Sequence, residues 1–143
     1  MAGLRYDDAF PRLIPSKTHA VIDWLHVATN FAAAVYFWNR NRRASGAALF
    51  LGANVLVNTL MTDYEYGVFR AWSFKVHGVL DYGVALSSPL MPVLLGFATR
   101  PQANFFYVQG AVETLTAGVT DYDDQSGARN PEHLELPIES RAA

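Results

Sequence analysis

The sequence predicts an all-α protein, a four-transmembrane-helix bundle formed by tandem duplication of a helical hairpin. Three observations predict this fold. Four long apolar segments are separated by short charged stretches, the second half of the chain repeats the first at a constant offset of 58 residues, and few formal charges lie inside the apolar segments. The chain has 143 residues, the size of one domain, and we take 1–143 as a single membrane domain.

The duplication is clearest in two short stretches. KTHAVIDW occupies 17–24 and KVHGVLDY occupies 75–82, so Lys, His, Asp and an aromatic residue recur at the same spacing. Alignment without gaps also matches Thr-Asp-Tyr at 62–64 with Thr-Asp-Tyr at 120–122. Both ends of the unit match, as expected for a true internal repeat. The resulting units are an N-terminal tail 1–16, repeat 1 at about 17–64, repeat 2 at about 75–122 and a C-terminal tail 123–143.

Each repeat contains two apolar segments of the length of a membrane helix. They cover 18–38 and 44–62 in repeat 1, and 76–97 and 103–120 in repeat 2. At a rise of about 1.5 Å per residue, each segment approaches the roughly 30 Å needed to cross hydrocarbon. Gly, Ala, Ser and Thr recur in all four, as close helix packing in lipid prefers.

A soluble four-helix bundle is the alternative fold. Its helices would carry a polar outer face with repeated Lys and Glu. Here the formal charges away from the segment ends are Asp23, Asp81 and Glu113. Pro89 and Pro92 lie inside the third segment, and membrane helices tolerate interior prolines better than soluble helices do. The pattern therefore favours transmembrane helices.

Composition excludes several classes of function. The net charge of −2 gives no electrostatic support for nucleic-acid binding. The chain has no cysteine, which excludes disulfides and thiolate chemistry. The first 17 residues lack a continuous apolar run, so we expect no cleavable signal peptide and expect the first helix to direct membrane insertion.

The repeat predicts a polar cluster at one end of the bundle. In four antiparallel helices, the starts of helices 1 and 3 and the ends of helices 2 and 4 lie on one membrane face. His and Asp four residues apart lie on the same side of a helix, so each pair projects together. The predicted members of this cluster, which are also its candidate ligands, are His19, Asp23, Asp63, His77, Asp81 and Asp121. The predicted supporting residues are Lys17, Lys75, Thr62, Thr120, Tyr64 and Tyr122.

Two of these acidic residues need a compensating charge. Asp63 and Asp121 follow helix C-termini, where the helix dipole disfavours an anion. We expect Lys17, Lys75 and the imidazoles to offset that cost.

Two interpretations of the cluster remain open at this stage. In the first, the residues form a hydrogen-bonded and ionic lattice that locks the helix ends together. In the second, His19, His77, Asp23 and Asp81 bind a metal ion, for which zinc, iron and manganese are the suitable choices. A haem iron held between His19 and His77 is a further form of the second interpretation. No catalytic residue is predicted.

Glu113 and Asn58 are additional intramembrane candidates. An acidic residue inside a membrane segment indicates function unless a partner neutralises it. Glu113 corresponds to Val55 in repeat 1, so it has no acidic twin. Its expected partners are Gln109, Thr116 or Tyr107. His26 corresponds to Val84, and we interpret it as a packing residue.

A resemblance to a known family rests on four stretches. They are IPSKTHAVID at 14–23, LMTDYEYGV at 60–68, KVHGVLD at 75–81 and SSPLMPVLLGF at 87–97. The chain resembles the SPW-repeat-like, uncharacterised small four-helix bacterial membrane proteins over roughly 14–122. It departs from their pattern at Leu90, where that family has tryptophan. The resemblance implies the fold and implies no activity or cofactor.

The sequence favours a non-catalytic role over an enzyme. We expect a small integral membrane protein that acts as an accessory subunit or scaffold, in contact with the lipid bilayer and associating with itself or a larger complex. The alternatives are a metal- or haem-binding redox or sensor protein using His19 and His77, and a proton or solute transporter using Glu113. The dense arginines at 40–43 favour a cytoplasmic loop. We therefore expect a multi-pass protein of the bacterial inner membrane, with the polar cluster and both termini on the outer face.

Overall fold

Four helices run through the part of the chain that this computed structural model describes, residues 11–130 and 132. They are α1 Ser16–Phe37, α2 Arg42–Met61, α3 Phe74–Leu94 and α4 Ala103–Val119. Among the described residues there is no strand, so the all-α class is confirmed. The observed helices begin and end within three residues of the predicted apolar segments.

Side chains close the N-terminal ends of three helices. Oδ1 of Asn41 accepts hydrogen bonds from the backbone N–H groups of Arg43 at 3.1 Å and Ala44 at 3.2 Å. Ser73 accepts from the N–H of Val76 at the start of α3. Such side-chain oxygens replace the backbone partners that a first helical turn lacks. At α1 the side chain that accepts from the first turn comes from the segment after α4.

The segment after α4 lies across the start of α1. The backbone N–H of Ser16 donates to Oδ2 of Asp124 at 2.8 Å, which puts an anion at the positive end of the helix dipole. The Ser16 hydroxyl also donates to the Glu65 carboxylate at 3.0–3.1 Å. The α2–α3 loop and the C-terminal segment therefore meet at this end of the bundle.

Equivalent glycines bring the two helices of each hairpin close together. A Cβ at Gly52 of α2 would lie 2.9 Å from Cβ of Asn30 on α1. A Cβ at Gly110 of α4 would lie 2.6 Å from Cδ of Pro89 on α3. Gly52 and Gly110 occupy the same position in the two repeats. Glycine at these positions allows the helix backbones to pack at short range.

Two equivalent backbone pairings gather the helix ends. The N–H of Asp63 donates to the carbonyl of Trp72 at 2.8 Å, and the N–H of Asp121 donates to the carbonyl of Ile14 at 2.9 Å. Ile14 and Trp72 are equivalent positions in the repeat, as are Asp63 and Asp121. The starts of α1 and α3 and the ends of α2 and α4 therefore lie at one end, which we call the cluster end.

The bundle buries polar residues together with its hydrophobic core and exposes large apolar residues. Fully or almost fully buried positions include the polar residues His19, Asp23, Asn30, Asn58, Thr59, His77, Asp81, Ser88, Gln109 and Glu113. Large apolar side chains face outward on every helix, for example Leu25, Phe50, Leu86 and Leu115, each more than half exposed. The apolar outer surface differs from the polar outer face of an amphipathic helix in a soluble bundle.

Two of the four helices, α1 and α2, are long and apolar enough to cross a membrane. α4 has 17 residues. α3 contains His77, Asp81 and two prolines. The prediction of four membrane-spanning helices is thus supported by length and composition for the first hairpin.

Candidate metal centre

Four side chains from the first halves of α1 and α3 converge at the cluster end. Nε2 of His19 and Nε2 of His77 lie 3.2 Å apart. Oδ1 of Asp23 lies 3.3 Å from Nε2 of His19, and Oδ2 of Asp23 lies 3.3 Å from Nε2 of His77. Oδ2 of Asp81 lies 3.0 Å from Nε2 of His19 and 3.1 Å from Nε2 of His77. One nitrogen or oxygen from each of the four residues lies within 4.8 Å of the others.

These separations match the edges of a metal coordination tetrahedron. Zinc binds histidine nitrogen and carboxylate oxygen at about 2.0–2.2 Å, which places neighbouring ligand atoms about 3.3–3.5 Å apart. The contacts of 3.0–3.3 Å lie at or just below that range, and the two Asp23 contacts are made by different oxygens of its carboxylate. The donor set of two imidazoles and two carboxylates could therefore hold a metal ion after small movements.

Two threonines fix the orientation of the imidazoles. The Thr62 hydroxyl lies 2.6 Å from the carbonyl of Asn58 and 2.7 Å from Nδ1 of His77. A carbonyl oxygen can only accept, so the hydroxyl donates to it and accepts from Nδ1–H. Thr120 does the same for His19. In a neutral imidazole this arrangement leaves the Nε2 lone pair facing the centre, as in metal sites whose ligands are oriented by outer partners.

The carboxylates also receive hydrogen bonds from behind. The Tyr64 hydroxyl donates to Oδ2 of Asp23 at 2.6 Å, and the Tyr122 hydroxyl donates to Oδ2 of Asp81 at 2.8 Å. Burial raises the pKa of Tyr64, and the charge of Asp23 raises it further. Burial and the Asp81 charge likewise raise the pKa of Tyr122. Both hydroxyls are therefore fixed donors at ordinary pH.

Asn58 completes the outer partners on one side. Its amide N–H donates to Oδ1 of Asp81 at 3.1 Å, and its carbonyl oxygen accepts from the indole N–H of Trp72 at 3.2 Å. The sequence singled out Asn58 as an intramembrane polar residue. In the structure it supports the Asp81 carboxylate.

The centre is enclosed. The side chains of the four residues are at most 9% exposed. The buried ring of Phe74 packs edge-on against His19 at 5.3 Å and lies 5.6 Å from the ring of His77. Charges buried to this degree need compensation, because removing an unpaired ion from water costs several kcal/mol or more.

Positive charge is required between the Nε2 atoms. Two imidazole lone pairs 3.2 Å apart, flanked by two carboxylates, repel one another unless a cation lies among them. Protons on both Nε2 atoms would give an ionic lattice, and a metal ion would give a coordination centre. The ionic lattice and the metal site therefore differ only in whether protons or a metal ion carry the positive charge.

Two predicted members of the cluster lie elsewhere at the same end. Asp63 binds the Arg70 guanidinium at 2.7 Å and accepts from the backbone N–H groups of Arg129 and Asn130. Asp121 pairs with Arg12 at 3.0 Å. Asp63 is buried and Asp121 is partly exposed, and both hold chain segments outside the group of four central residues.

The compensating cations also differ from the expectation. Arg70 and Arg12, which the sequence analysis did not select, face these two carboxylates. Lys75 pairs with Asp123 at 2.6 Å, and Lys17 is exposed. The loops fold back over the cluster end and bring arginines from outside the repeats, which the helix pattern could not reveal.

A haem between the two histidines does not fit this arrangement. A porphyrin plane between the Nε2 atoms would occupy the volume that the Asp23 and Asp81 carboxylates fill. The cluster therefore suits a bare metal ion.

Glu113 has an unexpected partner. Its Oε1 contacts Nδ1 of His26, which joins α4 to α1. The partners predicted from the sequence were Gln109, Thr116 or Tyr107, and His26 was predicted to be a packing residue. One feature of the sequence points to this pair. His26 corresponds to Val84 and Glu113 to Val55, so each of the contacting positions is polar in one copy of the repeat and valine in the other.

Comparisons with known proteins give no match from which a function could be inferred. No family model, no curated protein and no solved structure matches the chain. The resemblance to the SPW-repeat-like proteins stays a prediction.

Proposed function

We propose that the protein is a non-catalytic integral membrane protein that binds one divalent transition-metal ion through His19, His77, Asp23 and Asp81. The observation that carries this proposal is the set of 3.0–3.3 Å separations among the donor atoms of four buried side chains, with each imidazole oriented by a threonine. The proposal selects the metal-binding alternative and retains the expected non-catalytic role.

Charge balance favours a divalent ion. Two neutral imidazoles, two carboxylates and one M²⁺ ion have a net charge of zero, which suits a site taken out of water. Imidazole and carboxylate ligands suit zinc, iron(II) and manganese(II). Zinc accepts a tetrahedral donor set most readily, so we place it first.

A closed donor set supports a structural role. Catalytic zinc sites keep a position for water or substrate, whereas structural sites use four protein ligands. Here four protein ligands surround the centre and Phe74 covers it. Since two ligands come from α1 and two from α3, a bound metal would clamp the first helices of the two repeats together.

We further propose that all four helices lie in the membrane. Outward apolar side chains support this for the second hairpin as well, because Val79, Leu86 and Leu115 are each about 70% exposed. Exposed apolar surface of this extent on a small protein indicates contact with lipid or with neighbouring subunits. A place in a bacterial inner membrane, as an accessory subunit or scaffold, agrees with that surface.

Metal analysis of the purified full-length protein tests the proposal. We expect about one equivalent of metal per chain after incubation with Zn²⁺ and removal of excess, and less than a tenth of that in His19→Ala and His77→Ala. His26→Ala is the matched control, because His26 lies on α1 and outside the four-residue centre; it should keep the metal. If wild type retains no Zn²⁺, Mn²⁺ or Fe²⁺ and the variants only lose stability, the cluster is an ionic lattice and the proposal fails.

A further inference from the structure

A groove of about 540 Å³ runs along the outer surface between α1 and α4. Its walls include Leu25, Phe105, Val108 and Val112. Leu25 and Val108 are each 63% exposed, so the groove opens where lipid would lie if the helices span a membrane. Its volume falls within the range of small-molecule sites, which are mostly apolar with a few placed polar groups.

The floor of the groove is polar. His26 and Glu113 contact each other there, and their side chains are 12% and 9% exposed. Gln109, one turn from Glu113 on α4, also lines the groove. His26 lies about 10 Å along α1 from His19, so this floor is separate from the metal centre.

Gln109 lacks hydrogen-bond partners within the described chain. Its amide nitrogen and its carbonyl oxygen are both buried without a partner, and the residue is 5% exposed. A buried amide left in this state costs free energy, and native proteins rarely keep one without a purpose. A bound molecule with both a donor and an acceptor would satisfy it.

The pseudo-equivalent pair of helices, α2 and α3, carries apolar residues at the same three positions. Gln109 corresponds to Leu51, Glu113 to Val55 and His26 to Val84. Leu51, Val55 and Val84 are buried in the main core, where α2 contacts α3. The fold can therefore be built with apolar residues here, and the polar trio on the α1–α4 side serves something other than packing.

We propose that this groove binds a neutral, lipid-soluble molecule with a ring head that carries carbonyl or hydroxyl groups, the chemistry of a membrane quinone and its quinol. The head contacts the His26–Glu113 pair and, after a rotation of the Gln109 side chain that turns its buried amide towards the groove, that amide as well. The apolar tail lies along Leu25 and Val108. A neutral head fits because the floor already pairs its acid with an imidazole. Its groups match an amide that offers one acceptor and two donor hydrogens.

Binding of a benzoquinone with a ten-carbon tail to the full-length protein in detergent tests this inference. We expect saturable binding by calorimetry, weakened about two- to tenfold in Gln109→Leu, because the quinone carbonyl loses the hydrogen bond that it accepts from the Gln109 amide. The same variant should unfold at an unchanged or higher temperature, since it removes an unpartnered buried amide. Metal content should stay at the wild-type level.

Two controls separate this ligand from ordinary lipid and from a fault in folding. Val55→Ala, on the equivalent position of the other face, should bind the quinone as wild type does. A ten-carbon alcohol and a phosphatidylcholine should compete at least tenfold more weakly than the quinone. The inference is overturned if Gln109→Leu binds the quinone unchanged, or if the alcohol or the phospholipid competes equally well.

Discussion

The hydroxyl oxygen of Thr120 lies 2.8 Å from Nδ1 of His19 and belongs to the other repeat. Thr62 of repeat 1 makes the same contact with His77 of repeat 2, at 2.7 Å. Each imidazole is thus held by the end of a helix from the opposite hairpin. Exchange of contacts between the repeats explains why both the Lys-x-His-x-x-x-Asp stretch and the Thr-Asp-Tyr stretch occur twice.

Thr62→Val and Thr120→Val should each weaken metal binding by about 10- to 100-fold, the usual effect of losing an outer partner of a metal-bound histidine. Valine has nearly the same shape as threonine but cannot accept from Nδ1–H, so the tautomer and ring orientation are no longer fixed. Competition with a chromogenic chelator measures the affinity. Thr114→Val is the control, because its hydroxyl donates to the carbonyl of Gly110 in the same kind of i−4 bond. Equal affinity in all three variants would remove the orienting role.

The constant offset of the repeat allowed the central site to be predicted. It located His19, Asp23, His77 and Asp81 at one end before any contact was known, because helix periodicity fixes which side chains share a face. It did not separate them from Asp63 and Asp121, since the partners of those two residues lie in loops and in the segment after α4. Irregular segments have no period from which a contact can be inferred.

The pairing of His26 with Glu113 was missed for a different reason. In the sequence, His26 and Glu113 each lack a matching residue in the other repeat, where Val84 and Val55 stand, and no fixed spacing along the chain links the two positions. Which helices become neighbours across the bundle depends on tertiary packing. A joint change at two positions becomes informative once α1 is known to face α4.

Tyr64 and Tyr122 make stability depend on alkaline pH. Burial raises the pKa of both hydroxyls, so the folded protein keeps these two protons when the tyrosines of the unfolded chain, with a pKa of about 10, release theirs. The unfolded state then binds fewer protons, and stability falls as the pH rises above about 10. Below that pH the contribution is fully present. Denaturant unfolding between pH 8 and 11 measures the slope.

The double variant Tyr64→Phe/Tyr122→Phe should show a shallower alkaline decline than wild type, and each single variant should lie between them. The double variant should also be less stable at pH 8, because two hydrogen bonds to carboxylates worth about 1.5–3 kcal/mol each are lost. An identical slope in all four proteins would show that these hydroxyls do not control the alkaline decline.

Removal of metal should lower the free energy of unfolding. The donors of the centre come from both hairpins, so the folded state binds the ion in a way that the unfolded chain does not. At a free metal concentration 100 times the dissociation constant, the difference is about 2.7 kcal/mol. Thermal unfolding with Zn²⁺ or with a chelator measures it. His19→Ala is the control: a chelator that lowers its unfolding temperature as much as that of wild type would place the stabilising metal elsewhere.

Gly110→Ala should destabilise the α3–α4 hairpin by about 1–3 kcal/mol, the usual cost of overpacking. The new Cβ would lie 2.6 Å from Cδ of Pro89 and 3.2 Å from the carbonyl oxygen of Ala85, and neither a proline ring nor a helix backbone can rotate away. Gly83→Ala, with nothing within 4 Å of the new Cβ, should instead stabilise α3 by about 0.5–1 kcal/mol, since glycine loses more backbone entropy on folding. Denaturant unfolding of both variants in the same detergent measures the opposite signs. A stabilising effect of Gly110→Ala would show that the helices of this hairpin are farther apart than the structure places them.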